Sequence, residues 1–415
     1  MNHDRTYSRV SKLVNRLTPM SRRFRNGTIV AAGAVVLTSC ASNAPQDTWV
    51  PKGPNAKIID DLQKPVFAVA GIIGLIVTAA VVYAIYKFKD RGQPIPEQTH
   101  GKPALEITLT IIPALILTVI GVFTFRTVFD LSKTSDTEMI INVTGQQWWW
   151  EYDYPVQEEF GITKPIITSG QLVIPAGTKV LLRQTSRDVI HSYWIPALNG
   201  KRDAVPGRVH TNRIEADEPG IYAGQCTEFC GLSHANMRME AVALSKADFA
   251  KWVEGQLAEY KSPAEGSLAK EGETVFINQC VRCHQVNGLK REDGTPIIAA
   301  PDENIVSGAA PNLSHLMSRN TFAGAMFDLL TEQCRKEVWG ADSASFGEKY
   351  LAGVSEQCLN QSDLRGWLRN APEMKPMYAN PALLASTGGK YRGMPNLGLT
   401  ESDIEKLVAY LLTLK

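Results

Sequence analysis

Two apolar runs set the first constraint on this chain. Pro65–Tyr86 carries no charged residue, and Leu105–Phe125 carries only Glu106, near its start. Each meets the ~20 residues that an α-helix needs to cross a bilayer. The stretch between them holds Lys87, Lys89, Arg91 and Lys102, and a basic excess in a short loop marks the cytoplasmic side. The runs are therefore expected to form a membrane hairpin, with everything after about Phe129 on the outer face. A mean hydropathy of −0.12 excludes a polytopic chain that is apolar throughout, so most of the 415 residues must fold in water. That length predicts two or three domains.

Ahead of the hairpin, a basic stretch from Arg5 to Arg25 leads into the apolar run Thr28–Leu37, which is too short to span. This is the form of an export signal. Leu37-Thr38-Ser39-Cys40, followed by Ala41-Ser42-Asn43, resembles the bacterial lipobox. The resemblance implies a lipoprotein signal peptide over residues 1–39 and a lipidated Cys40 as the mature N-terminus. Its orientation agrees with the charge bias. A buried cysteine behind a chance apolar stretch is the plainer alternative.

From Glu138 to about Leu244 the pattern changes. Short β-rich runs (Met139–Thr144, Gln171–Ile174, Thr178–Gln184, Arg213–Glu215 and Glu240–Leu244) are separated by Pro and Gly, as in a small sandwich or barrel. A helix is expected over Lys246–Glu259, where Phe249, Trp252, Val253 and Leu257 recur at helical spacing. Residues 259–267 read as a linker. Helical patterns return at Leu268–Cys280, Thr321–Cys334, Ser362–Arg369 and Glu401–Leu414. The expected domains are a membrane hairpin with its lipidated lead at 40–130, an all-β domain at 131–258 and an all-α domain at 268–415.

Two constellations carry chemistry. The first is Cys226-Thr-Glu228-Phe-Cys230-Gly-Leu-Ser-His234-Ala-Asn-Met237, with His191 upstream in His191-Ser-Tyr-Trp194-Ile-Pro196. Thiolate, imidazole and thioether form a soft donor set suited to copper, whereas structural zinc takes four Cys or His ligands. One Cys, one His and one Met would make a mononuclear site, and the second cysteine lets two sulfurs bridge two ions. A Cys226–Cys230 disulfide is the bland alternative, and it leaves the His and Met spacing unexplained.

The pattern C-x-E-x-C-x-x-x-H-x-x-M, after H-S-x-W-x-P and Asp203–Arg208, strongly resembles cytochrome c oxidase subunit 2. The resemblance extends to Leu105–Pro113 in the second apolar run and to Gln147-Trp148-Trp149-Trp150 after it. It implies a cupredoxin-like β domain holding the dinuclear copper centre called CuA. His191 and His234 would be terminal imidazoles, Cys226 and Cys230 bridging thiolates, and Met237 and the Glu228 carbonyl weak axial ligands. Met239 has the right chemistry, but Met237 keeps the family spacing. The Glu228 side chain would bind magnesium at the boundary with the catalytic subunit. Trp148 would be the entry point for electrons, although it fits equally a tryptophan belt at the membrane interface. Glu106 resembles the acid at the mouth of a proton channel, and Leu109 stands where many relatives carry tryptophan.

The second constellation is Cys280-Val-Arg-Cys283-His284. C-x-x-C-H is the attachment signature of c-type haem: both thiols bond the vinyl groups and the histidine ligates the iron. A redox or zinc C-x-x-C is the rival. Met394-Pro395, before the last helix, best resembles the cytochrome c arrangement for a second axial ligand, with Met374 and Met377 as runners-up. Pro311-Asn312-Leu313 resembles the loop that packs the histidine side of the haem. Cys334 and Cys358 lie outside both motifs and are either bonded or free. His100, His210 and His315 read as loop or surface residues.

With 43 basic and 42 acidic residues, no charge excess points to nucleic acid. The expected function is electron entry into a bacterial haem–copper oxidase, from haem c to CuA and on to a catalytic subunit that reduces oxygen. The resemblance implies catalytic subunit 1 and subunit 3 as partners, cytochrome c or a quinol–cytochrome c reductase as donor, and the bacterial cell membrane as location. Neither apolar run contains the histidines that an oxygen-reducing site needs. A membrane-tethered copper-binding or assembly protein is the alternative.

Overall fold

The computed structural model describes residues 44–415, except positions 93, 95–96, 98–99, 134–137, 292, 296, 298–309, 380–381, 384 and 386–391. Cys40 and the signal segment lie outside the described residues. Residues 46–415 form one unit.

The apolar runs lie in helices α1 (Pro54–Lys87) and α2 (Pro103–Ser132), both long and apolar enough to cross a membrane. Each opens with proline in its first turn, where the missing N–H is no loss. Their large apolar side chains are exposed, as for helices that face lipid. Glu106 lies in the first turn of α2, and Leu109 is exposed one turn on. Helix α1 starts eleven residues before the apolar run, because its lead is strapped to the β region: Lys52 N–H donates to Ala197 O, and Asn55 Nδ2 to Arg213 O at 2.7 Å.

Ten strands follow. They are β1 (Met139–Gln146), β2 (Trp149–Tyr154), β3 (Ile166–Ser169), β4 (Gln171–Pro175), β5 (Val180–Ser186), β6 (His191–Tyr193), β7 (Arg202–Ala204), β8 (His210–Ile214), β9 (Gly220–Gln225) and β10 (Arg238–Leu244). One sheet runs β3-β2-β1-β5-β8 and a second β4-β10-β9, with β6-β7 as a separate pair. Along β1, Met139, Ile141 and Val143 point to the core while their neighbours are half-buried, the period of two that a sheet with one covered face requires. Trp150, Tyr152 and Tyr154 of β2 fill the space between the sheets. Strands β1 and β5 are parallel, with Gly145 opposite Ser186, so both end at the same edge. The chain leaves β1 through Gln147-Trp148 and β5 through Arg187–Ile190, and Gln147 N–H donates to Asp188 Oδ2 at 2.8 Å. That shared edge carries the copper candidates.

Helix α3 (Lys246–Gln256) is capped by Ser245 and packs Phe249, Trp252 and Val253 inward. The expected linker is tied down. Tyr260 hydroxyl donates to Glu273, as does Ser262 hydroxyl at 2.9 Å. The remaining helices are α4 (Leu268–Gln279), α5 (Glu332–Trp339), α6 (Phe346–Leu351), α7 (Gln361–Met374) and α8 (Glu401–Leu411). Gly272 lets α4 and α8 touch, since a Cβ there would strike the Lys406 carbonyl, and Phe276 packs tilted against Tyr410 with centroids 5.2 Å apart.

The expected helix at Thr321–Cys334 is corrected. Thr321–Phe322 and Phe327–Asp328 form a hairpin, β11 and β12, and α5 begins only after its cap Thr331. Ala323, Gly324 and Ala325 all sit at positive φ in the turn, a conformation no right-handed helix holds. A short hairpin thus sits within a region that is otherwise helical.

Candidate copper and haem sites

Cys226 follows directly on β9, and Met237 directly precedes β10. Cys226 N–H donates to Met237 O at 2.9 Å, which closes the twelve-residue loop on itself. Inside it, the Cys226 and Cys230 sulfurs are 3.8 Å apart. The Cys226 sulfur faces His191 Nδ1 at 3.9 Å and the Glu228 carbonyl at 3.3 Å. The Cys230 sulfur faces His234 Nδ1 at 3.5 Å and the Met237 thioether at 3.8 Å. His191, Cys226 and Cys230 converge within 4.8 Å of one another. Each sulfur thus has its own imidazole and its own weak donor, a set that can serve two soft ions. Met239 is buried beneath Gly224 of β9 instead.

A second layer fixes these donors. His191 Nε2 lies 2.8 Å from Asp188 Oδ1, which leaves Nδ1 for the sulfur side, the arrangement that orients metal-bound histidines. Burial lowers the His191 pKa, but its contacts with Asp188 and Cys226 outweigh that and raise it overall. Burial would raise the Asp188 carboxyl, yet the His191 contact and the N–H groups of Gln147 and Val189 hold it low. A hydrogen bond from Cys230, helped by His191, draws the Cys226 thiol well below its ordinary range, and facing that sulfur drives Cys230 up. Gln147 Nε2 and Trp148 Nε1 both donate to the Cys230 carbonyl, at 2.7 and 3.1 Å.

At the other motif, Cys280 caps the C-terminus of α4, and Cys283 and His284 follow in a tight turn. His284 Nδ1 lies 2.8 Å from the Pro311 carbonyl. As an Nδ1–H donor, the ring leaves Nε2 free for iron. Burial holds the His284 pKa low, favouring the neutral form that a ligand needs. Two thiols and an imidazole with its outer nitrogen already committed fit covalent haem.

Sequence profiles of known families match three stretches: the transmembrane domain of cytochrome c oxidase subunit II at 47–127, its periplasmic domain at 139–243, and cytochrome c at 269–326. Cytochrome c oxidase subunit 2 of Alkalihalophilus pseudofirmus is 34% identical over 91% of this chain and 94% of its own length. The chain belongs to the cytochrome c oxidase subunit 2 family. Subunit 2 of Bacillus sp. strain PS3 is 31% identical over 79% of each chain. The crystal structure of the periplasmic domain of subunit II of the Bradyrhizobium japonicum oxidase is 30% identical, covering 29% of this chain and 95% of that one, with a TM-score of 0.27.

In this subunit 2 chain, Trp148 is 2% exposed and packed inside the protein, so it belongs to no tryptophan belt at the membrane surface. The Glu228 side chain is exposed. Cys334 and Cys358 are joined in a disulfide. The Met374 sulfur would meet a Cβ on Gly366, and Met377 lies against Gly393, whereas Met394 is half-buried against the core. His210 and His315 bond backbone carbonyls.

Sequence reasoning missed Asp188, Lys375, Tyr378 and Arg392. Lys375 is 2% exposed, and burial lowers its pKa to about 7. No motif announces these residues. Asp188 stands three residues before a candidate ligand, and that is the one signal available.

Proposed function

We propose that this chain is the electron-entry subunit of a terminal cytochrome c oxidase, carrying electrons from a haem domain to a dinuclear copper domain and on to a catalytic subunit that reduces oxygen. The observation that carries this reading is the pair of cysteine sulfurs 3.8 Å apart, each facing a different histidine. When bound, the copper pair and the haem supply one-electron chemistry. Cys226, Cys230, His191 and His234 would hold the two ions, with the Met237 thioether and the Glu228 carbonyl as weaker donors. Cys280 and Cys283 would hold the haem covalently, and His284 and Met394 would be the side chains that ligate its iron. The exposed Glu228 carboxylate would take magnesium at the catalytic subunit.

The protein's own part is to exclude water and hold the donors rigidly, which favours transfer without rearrangement. Buried sulfurs and an attached haem region do not suit a protein that must release copper, so the delivery reading is not favoured. The spans and basic loop support a place in the bacterial cell membrane, copper and haem regions outward, with Cys40 lipidated. Subunits 1 and 3 would be its partners, and cytochrome c or a quinol–cytochrome c reductase its donor. An electron paramagnetic resonance spectrum of the oxidised protein tests the copper assignment. One unpaired electron shared by two nuclei gives more hyperfine lines than a single copper nucleus can, and a single-nucleus pattern would contradict it.

A further inference from the structure

Lys375 follows α7 and turns away from it, into the β region. Its ammonium donates to the Trp148 carbonyl at 2.9 Å and to the Ala323 carbonyl at 2.7 Å. A buried ammonium persists only where such acceptors replace its water, so the two carbonyls and the lysine hold one another. Three residues on, the Tyr378 ring lies 5.2 Å from the Trp148 ring. Tyr378 also pairs through its backbone with Arg392, whose Nε comes within 4.0 Å of Asp188 Oδ2. Asp188 is the residue that orients His191.

The hairpin turn completes the cover. Gly324 passes so near Trp148 that a Cβ there would stand 2.5 Å from its carbonyl oxygen, and Gly324 O accepts from Arg238 N–H at 3.0 Å. A separate anchor sits on β4, where Gln171 Oε1 accepts from Asn320 N–H at 2.9 Å and from Tyr350 hydroxyl at 3.1 Å. The haem region is therefore seated on the copper region by buried polar contacts at two places, beyond the tether at Tyr260.

We propose that Lys375, Tyr378 and Arg392 are positioning residues that lock the haem domain onto the Trp148 face of the copper domain, making that face an internal junction and not a landing site for a separate protein donor. The proposal rests on the reading that electrons run from the haem domain to the copper domain. An external donor must then deliver to the haem domain, and the junction sets the rate of the internal step. That step moves one electron: the haem iron is oxidised from ferrous to ferric, and the copper pair is reduced by one.

The experiment uses the intact oxidase complex with Lys375→Met, which keeps the length and removes the ammonium, and with Gly324→Ala, which pushes the hairpin off Trp148 and leaves Lys375 in place. Hydroxyl-radical footprinting, read at Trp148 by mass spectrometry, reports the cover, and flash-triggered reduction reports internal transfer. Trp148 should be protected in the parent protein. Its oxidation should rise about tenfold in Lys375→Met, the expected size for losing a charged hydrogen bond that resists opening, and should also rise in Gly324→Ala, whose added Cβ parts the hairpin from Trp148. Internal transfer should slow in both, with the haem absorbance and copper resonance spectra unchanged. Trp148 that is as reactive in the parent as an exposed tryptophan, or unchanged in both variants, overturns the lock. Increased oxidation with an unchanged transfer rate sustains the lock and overturns the relay on which it rests.

Discussion

The indole of Trp148 donates to the carbonyl of Cys230 at 3.1 Å, so the residue that meets the haem region on one side touches a copper candidate on the other. The Tyr378 ring packs against the indole, with centroids 5.2 Å apart. Replacing Trp148 with Phe keeps the ring and removes the donor. Losing one hydrogen bond should lower stability by about 1 kcal/mol, leave copper content intact and slow internal electron transfer. Metal analysis with flash kinetics checks this, and lost copper would show Trp148 to be structural for the site.

Asp188 holds His191 through Nε2 and is itself held by Gln147. Asp188→Asn keeps the shape and weakens the acceptor. Removing such an outer partner should reduce copper affinity roughly 10–100-fold, measured by competition with a chelator. An unchanged affinity would mean that His191 is oriented by packing alone.

Glu240 of β10 gives a pH test. Burial raises its pKa from an ordinary 4.5 to about 7, against the hydrogen bond from Gln171. Between those values the unfolded chain has released a proton that the folded chain keeps, so stability falls as pH rises from about 4.5 towards 7. At about 1.4 kcal/mol per pKa unit, the loss is of the order of a few kcal/mol. Glu240→Gln should flatten this slope and unfold at a higher temperature than the parent at pH 8. Equal slopes in thermal denaturation would contradict it.

The orientation makes a separate prediction. Protease added to intact protoplasts should remove the region from Met139 onwards and spare the basic stretch between α1 and α2. Cleavage within residues 88–102 in sealed cells would reverse the topology. Cys40→Ala should abolish lipid labelling while the two spans keep the protein in the membrane.

What the sequence made legible follows from chemistry held in short loops. Bridging thiolates need cysteines a few residues apart, and haem attachment needs its histidine beside them, so both sites are written as local spacing. The spans were legible because a bilayer demands uninterrupted apolar length. Lys375, Tyr378 and Arg392 left no such trace, because each acts through a contact with a residue more than 200 positions away. The hairpin at Thr321–Asp328 escaped for a related reason: its Phe322 and Phe327 pack on Trp367, forty or more residues further along the chain. The tied-down stretch after α3 looked like a linker because its composition is polar, while Glu273, which secures it, lies in the next helix.

Rapid mixing of the oxidised complex with reduced donor tests the central claim most directly. If the haem domain is the port and Trp148 lies behind it, haem absorbance should show reduction first and the copper band should bleach afterwards, at the rate at which the haem is reoxidised. Copper bleaching ahead of any haem reduction would show that electrons reach the copper domain without crossing the junction, and would contradict the account.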